Sequence, residues 1–128
     1  MARTASEQPT DAELEILHVL WKRGPSGLGT IFQSLRERRP VAKTTVATVL
    51  TVMLGKNLVK RSRGNRGYLW SAKVTRQTAA DGLVGKLLDR VFDGSANRLV
   101  AHLLEAKQLT AKDRKELKRL LDSDGKQR

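Results

Sequence analysis

Apolar residues recur with a helical period along most of this chain. Val46, Val49, Leu50, Met53 and Leu54 stand at i, i+3, i+4, i+7 and i+8, which predicts an α-helix over about 42–56. The stretch Thr44-Thr45-Val46-Ala47-Thr48-Val49 is β-branched and would suit a strand. Its apolar positions do not alternate, however, and packing commonly overrides a weak propensity. The same period predicts a first helix from Thr10, with Leu14, Leu17, Leu20 and Trp21 as its buried stripe. Thr10 and Glu13 form a capping box there, and Asp11, Glu13 and Glu15 suit the positive helix end. Gly24-Pro25-Ser26-Gly27 ends that helix. A second helix, about 28–38, buries Leu28, Ile31, Phe32 and Leu35. It closes at Arg38-Arg39-Pro40, because the residue before a proline avoids the helical region.

After Lys56 the period changes. Two β-like runs, Leu58–Arg63 and Tyr68–Ala72, flank the turn Gly64-Asn65-Arg66-Gly67. Beyond Lys73 only helices are predicted. Thr75 caps a long one to Phe92, with Ala80, Leu83, Val84, Leu87, Leu88, Val91 and Phe92 as its apolar face. Asp93-Gly94 breaks it. Ser95 begins a short helix carrying Leu99, Val100, Leu103 and Leu104. Thr110 and Asp113 form a variant capping box for a last helix, with Leu117, Leu120 and Leu121 inward. The expected fold is mainly α with a small β-hairpin: a polar tail at 1–8, a winged helix-turn-helix domain at 9–74, a helical region at 75–122 and a second tail at 123–128. The apolar side chains from Leu83 onward are too many for about 50 residues to hide alone. Leu83, Val84, Leu87, Leu88, Val91, Phe92, Leu99, Val100, Leu103, Leu117, Leu120 and Leu121 are therefore expected to pack against a second copy of the chain, making a homodimer. Folding back on the N-terminal domain is the alternative.

Charge sharpens the picture. The chain carries 25 Lys+Arg against 13 Asp+Glu, a net +12. Between Arg36 and Lys73 there are ten basic residues and a single acid, Glu37. A block so uneven predicts a polyanionic partner, and a helix beside a basic hairpin is the winged-helix way of binding double-stranded DNA. On the third helix Lys43, Thr44, Thr45, Thr48 and Thr51 are the expected groove-facing set, since they fall away from the apolar stripe and threonine can meet base edges by hydroxyl and methyl. In the hairpin Arg61, Arg63 and Arg66 are expected on phosphates or in the minor groove, with Arg66 at the tip. Lys60 points to the other strand face. Arg36, Arg38 and Arg39 could flank phosphates. Tyr68 and Trp70 share one strand face and suit core packing better than base stacking. A basic RNA-binding or structural nucleic-acid-binding protein fits the charge too, although the separate helical C-terminal region argues against it. A winged domain that binds protein would need an acidic or apolar third-helix face.

Other chemistry is excluded. The chain has no cysteine, which removes disulfides, thiol catalysis and thiolate metal sites. His18 and His102 stand alone, with no ligand set or triad, and Gly94-Ser95-Ala96 is no nucleophile elbow. Asp89 and Asp93 read as surface. No enzyme, metal, cofactor or small-molecule ligand is expected. No apolar run approaches the length that spans a membrane, and the first residues lack the apolar core of a signal peptide, so a cytoplasmic location is expected.

Several of these segments carry a resemblance. Thr10-Asp11-Ala12-Glu13-Leu14-Glu15-Ile16-Leu17 with Leu20-Trp21, Thr44-Thr45-Val46-Ala47-Thr48-Val49-Leu50, Lys56-Asn57-Leu58-Val59, Tyr68-Leu69-Trp70 and Gly94-Ser95 occur in the order and spacing of the penicillinase-repressor family. The resemblance covers about residues 9–122. It implies a homodimeric winged-helix transcriptional repressor on a palindromic operator, often paired with a membrane-bound sensor metalloprotease that cleaves the repressor. The chain departs from that pattern at three places. Val52 stands where the family commonly has an arginine, and Ala47 where its beta-lactamase and methicillin-resistance members have another. The bond matching their protease-sensitive one is His102-Leu103 rather than asparagine followed by phenylalanine. The cysteine motif of copper-responsive members is missing.

Overall fold

The computed structural model describes residues 8–126. In order, the elements are α1 (Asp11–Arg23), α2 (Leu28–Arg36), α3 (Lys43–Gly55), β1 (Val59–Gly64), β2 (Gly67–Ala72), α4 (Arg76–Val91), α5 (Ala96–Glu105) and α6 (Ala111–Lys126). The fold is the mainly helical one expected, three helices and a hairpin forming a winged helix, followed by helices. The chain divides into two compact units between Leu83 and Val84, inside α4. The composition change in the sequence lies earlier, at 74. Of the expected N-terminal tail, residues 1–7 lie outside the described residues.

In the first unit one core joins α1, α2, α3 and the hairpin. Ile16, Leu17 and Leu20 of α1 meet Ile31 and Leu35 of α2, Val46, Leu50 and Met53 of α3, and Leu58, Val59 and Trp70 of the hairpin segment. The helical period of α3 therefore prevails over its β-branched composition. Val49 and Leu54 pack on the rim of this core. The α1 stripe is shifted from the expected one: Ile16 is fully buried, while Leu14 and Trp21 are only half-buried. Trp21 still serves, since its Nε1–H donates to the Val74 carbonyl at 3.0 Å.

Each helix end has a local cause. At α1 the Thr10 hydroxyl accepts from the Glu13 N–H, and the Glu13 carboxylate accepts from the Thr10 N–H, completing the predicted capping box. That same carboxylate is buried and accepts from Lys56 Nζ at 2.7 Å. Lys56 caps the far end of α3. Asn57 follows with φ +64°, its N–H bonded to the Leu54 carbonyl and the next N–H, of Leu58, to Met53. This is a Schellman turn with asparagine in the left-handed position. It delivers Leu58 into the core and starts β1. The strands pair antiparallel from Val59↔Ala72 to Gly64↔Gly67. Gly67 takes φ +120° at the tip, a conformation that suits glycine.

One pairing escapes sequence pattern. Ser26, in the turn between α1 and α2, exchanges both backbone hydrogen bonds with Trp70, at 2.9 and 2.8 Å. This bridge adds a backbone tie between the hairpin and the α1–α2 turn.

The α4–α6 elements also follow their caps. Thr75 accepts from Thr78 N–H, and Ser95 from Arg98 N–H. Thr110 and Asp113 bond reciprocally at 3.0 Å, the expected capping box. Two expectations are corrected. Ala79, rather than Ala80, is the buried alanine of α4, because the first turns of that helix lie near Pro9 and Leu58. And α6 continues to Lys126, through most of the expected 123–128 tail; nothing before Gly125 breaks a helix, and polar composition alone does not end one.

The Glu13–Lys56 pair yields a stability prediction. Lys56→Ala leaves a buried carboxylate with the Thr10 N–H as its remaining partner, and should lower unfolding free energy by roughly 1–3 kcal/mol. The double variant Glu13→Gln/Lys56→Met should recover most of that loss, because neither charge remains. Urea unfolding of the three proteins checks this. A double variant no more stable than Lys56→Ala would mean that the pair is not coupled.

Candidate nucleic-acid interface

The outward side of α3 is made by its period. With the core stripe inside, Lys43, Thr44, Thr45, Thr48, Thr51 and Val52 are all exposed, spread over an arc of roughly 120–140° plus the first turn. Val52 is 50% exposed, a branched apolar side chain on an otherwise polar face. Two hydroxyls on this face are turned back on the helix. Thr48 Oγ1 donates to the Thr44 carbonyl at 3.0 Å, and Thr51 Oγ1 to the Ala47 carbonyl at 3.1 Å. The face holds no carboxylate. Its first turn is uncapped by any side chain, since the N-cap is Ala42.

The strand register places the hairpin cations. Arg61 stands opposite Trp70 and Arg63 opposite Tyr68, so all four belong to one face of the hairpin. The inner end of that face enters the core through Val59 and Trp70. Farther out, the Arg61 guanidinium lies 4.1 Å from the centre of the Tyr68 ring and 5.6 Å from that of Trp70. Cation–π contact of this kind holds a charge in place without neutralising it. Tyr68 is 45% exposed, so only Trp70 takes the core role expected of both. Arg63 and Arg66 are exposed, and Lys60 is exposed on the opposite strand face.

A cleft of about 500 Å³ brings some of these groups together. Gly27, Leu28, Gly29 and Thr30 of the α2 start, Lys43 of α3, and Arg66, Gly67, Tyr68 and Trp70 of the hairpin line it. Two cations far apart in sequence thus face one space beside the first turn of α2. That turn has Gly27 as its N-cap and no side-chain cap, leaving backbone N–H donors free. The α2 start was not among the expected site residues. Its signal in the sequence is a glycine cap flanked by Gly29, which keeps the approach to the backbone open.

The remaining arginines divide. Arg39 is committed: its Nη2 and Nε donate to the Glu15 carboxylate at 2.6 and 3.1 Å. Arg36 lies over the Phe32 ring, 5.7 Å from its centre. Arg38 lines a different cleft, of about 590 Å³, with His18, Lys22 and Glu37. His18 packs edge-on against Trp21, and His102 against Phe92. The His102–Leu103 bond lies inside α5. Of the expected dimer residues, Val84, Leu87, Val91, Leu120 and Leu121 are exposed, the last two 50% and 65%. Leu83, Leu88, Phe92, Leu99, Val100, Leu103 and Leu117 are half-buried, and no described side chain from 84 to 124 is fully buried.

The chain is similar in sequence to known repressors. The family model described as "Penicillinase repressor" matches residues 9–123. The penicillinase repressor of Bacillus licheniformis is 24% identical over 90% of this chain and 90% of its own. The methicillin resistance regulatory protein MecI of Mammaliicoccus sciuri is 20% identical over 88% of this chain and 92% of its own. The transcriptional regulator BlaI of Mycobacterium tuberculosis is 32% identical over 74% of this chain and 70% of its own.

The Arg39–Glu15 pair gives a pH prediction. Its hydrogen bonds to Arg39 hold the Glu15 carboxyl below its ordinary value. A depressed carboxylate contributes stability above its unfolded pKa, about 4.3, and loses it as pH falls through the lower folded value. Arg39→Ala should therefore be slightly less stable than the parent at pH 7, by the small amount that an exposed pair contributes. The two proteins should converge as pH falls through that lowered folded value. Thermal unfolding across pH 3–7 measures the difference; a gap that widens on acidification would contradict the assignment.

Proposed function

The chain belongs to the penicillinase-repressor family, a group of winged-helix transcriptional repressors, and on that premise we propose that it represses transcription as a homodimer on a palindromic DNA operator. One observation carries the reading: an acid-free polar helix face stands beside a cleft that unites Lys43 and Arg66 with uncapped backbone donors. In this proposal α3 enters the major groove. Lys43, the α2 start, Arg63 and Arg66 hold phosphates, and Arg61, stacked on Tyr68, lies ready for phosphate or the minor groove. The absence of any buried side chain from 84 to 124 supports a second copy as the cover for the apolar residues of the C-terminal helices. A sensor metalloprotease acting at His102–Leu103 would have to unwind α5 locally before it could bind that bond in extended form.

The test is a titration of the full chain with duplex DNA from upstream of its own gene, against a scrambled duplex and competitor RNA. The upstream duplex should bind preferentially and resist the RNA. If a dimer neutralises about eight phosphates, the log–log salt slope is roughly −7, and Arg66→Ala should flatten it by about two, one contact per subunit. Sedimentation should give a dimer, and Leu121→Asp, which places a charge on the most exposed leucine, should give a monomer with weakened operator binding. Equal affinity for all duplexes and RNA would favour the basic RNA-binding alternative. A monomeric parent would remove the dimer.

A further inference from the structure

We infer that the α3 face selects A·T base pairs by their thymine methyl groups, with Thr48 and Val52 as the specificity-determining residues. This rests on the reading that α3 enters the major groove, and it names what that helix takes from the bases.

What the face can donate limits what it can read. Bidentate recognition of guanine needs arginine or lysine, and that of adenine needs asparagine or glutamine. Residues 43–55 contain no arginine, asparagine or glutamine. Their one long donor, Lys43, sits on the first turn and lines the cleft shared with Arg66, at the edge of the face rather than its middle. The remaining polar groups are threonine hydroxyls. Those of Thr48 and Thr51 already give their hydrogens to the carbonyls of Thr44 and Ala47. To donate to a guanine they would have to break a bond within their own helix.

What Thr48 presents outward is therefore a methyl group and an oxygen able only to accept. One turn farther along lies Val52, half exposed and wholly apolar. In the major groove, thymine alone among the bases carries an apolar edge, its C5 methyl. Its partner adenine presents an amino group that donates to an acceptor. A single T·A pair thus offers both of the groups that Thr48 can satisfy. A G·C pair offers an amino donor but no methyl, and leaves the guanine acceptors without a donor from this part of the helix. Exposing Val52 to water has no benefit for folding, whereas a methyl-to-methyl contact in the groove removes apolar surface from both partners.

The experiment begins with the full chain and a random duplex library, from which a preferred duplex is selected. Binding at fixed salt is then measured with deoxyuridine replacing each thymine in turn, which removes only the methyl, and with 7-deazaguanine replacing each guanine. Loss of a contacted methyl should weaken binding about fourfold, the equivalent of one buried methyl-sized group. The 7-deazaguanine duplexes should bind as the parent does. Three variants separate methyl from hydroxyl. Thr48→Val keeps a methyl and should retain the preference for thymine over deoxyuridine. Thr48→Ser keeps the hydroxyl and should lose that preference at one position. Val52→Ser should lose it at another. Thermal unfolding confirms that each variant is folded; both positions are exposed, so melting should change little. A selected duplex that tolerates every deoxyuridine but not 7-deazaguanine would overturn the inference while leaving major-groove reading intact. So would Thr48→Ser binding with full preference and Thr48→Val without it. Failure to select any duplex would overturn both.

Discussion

One buried ion pair joins the start of α1 to the end of α3, where the hairpin begins. Glu13 closes the cap at the start of α1 and binds Lys56 at the end of α3, so a single group fixes the opposite ends of two helices. Both placements are electrostatically favourable, an anion at a helix N-terminus and a cation at a helix C-terminus. Immediately after Lys56 the left-handed Asn57 reverses the chain into β1. The direction of the hairpin relative to α3 is thus set at the residue that Glu13 grips. Ser26 supplies the second attachment, through its bridge to Trp70. With those two ties in place, Lys43 and Arg66 come to face one cleft.

Much of this is legible in the sequence, and the reasons differ by element. The Thr10/Glu13 and Thr110/Asp113 boxes are local, so reading them requires only spacing. The helical state of α3 is legible because five apolar positions agree on a period, which outweighs the preferences of its individual threonines and valines. The Ser26 bridge is not legible, since one paired residue has no periodicity. Nor is the Arg61–Tyr68 stack: Arg61 and Tyr68 sit on different strands, and only the register reveals that they share a face. The Glu13–Lys56 pair spans 43 positions and leaves no local trace. Arg39 looked free beside Arg36 and Arg38, yet it is committed to Glu15, another partner distant in sequence.

The division of labour between the surfaces follows from their chemistry. The hairpin and the cleft carry charge, and charge attracts any polyanion without regard to sequence. The α3 face carries almost none, so it adds little to general attraction and can act only through close contact with base edges. Holding Arg61 against an aromatic ring rather than a carboxylate leaves its charge available. Binding Arg39 to Glu15 removes its charge from the contest. The chain therefore separates attraction from selection on adjacent elements of one small unit.

The most direct test of that separation is a map of contact by nuclear magnetic resonance. Isotope-labelled full-length protein is titrated first with a non-specific duplex and then with the selected one. The account predicts that both duplexes shift the backbone amides of 28–30 and 60–68, and that the selected duplex alone adds large shifts across 44–52. The cleft bearing His18, Lys22 and Arg38 should stay unchanged in both. Shifts confined to the hairpin with either duplex, leaving 44–52 untouched, would contradict the claim that α3 is the reading element.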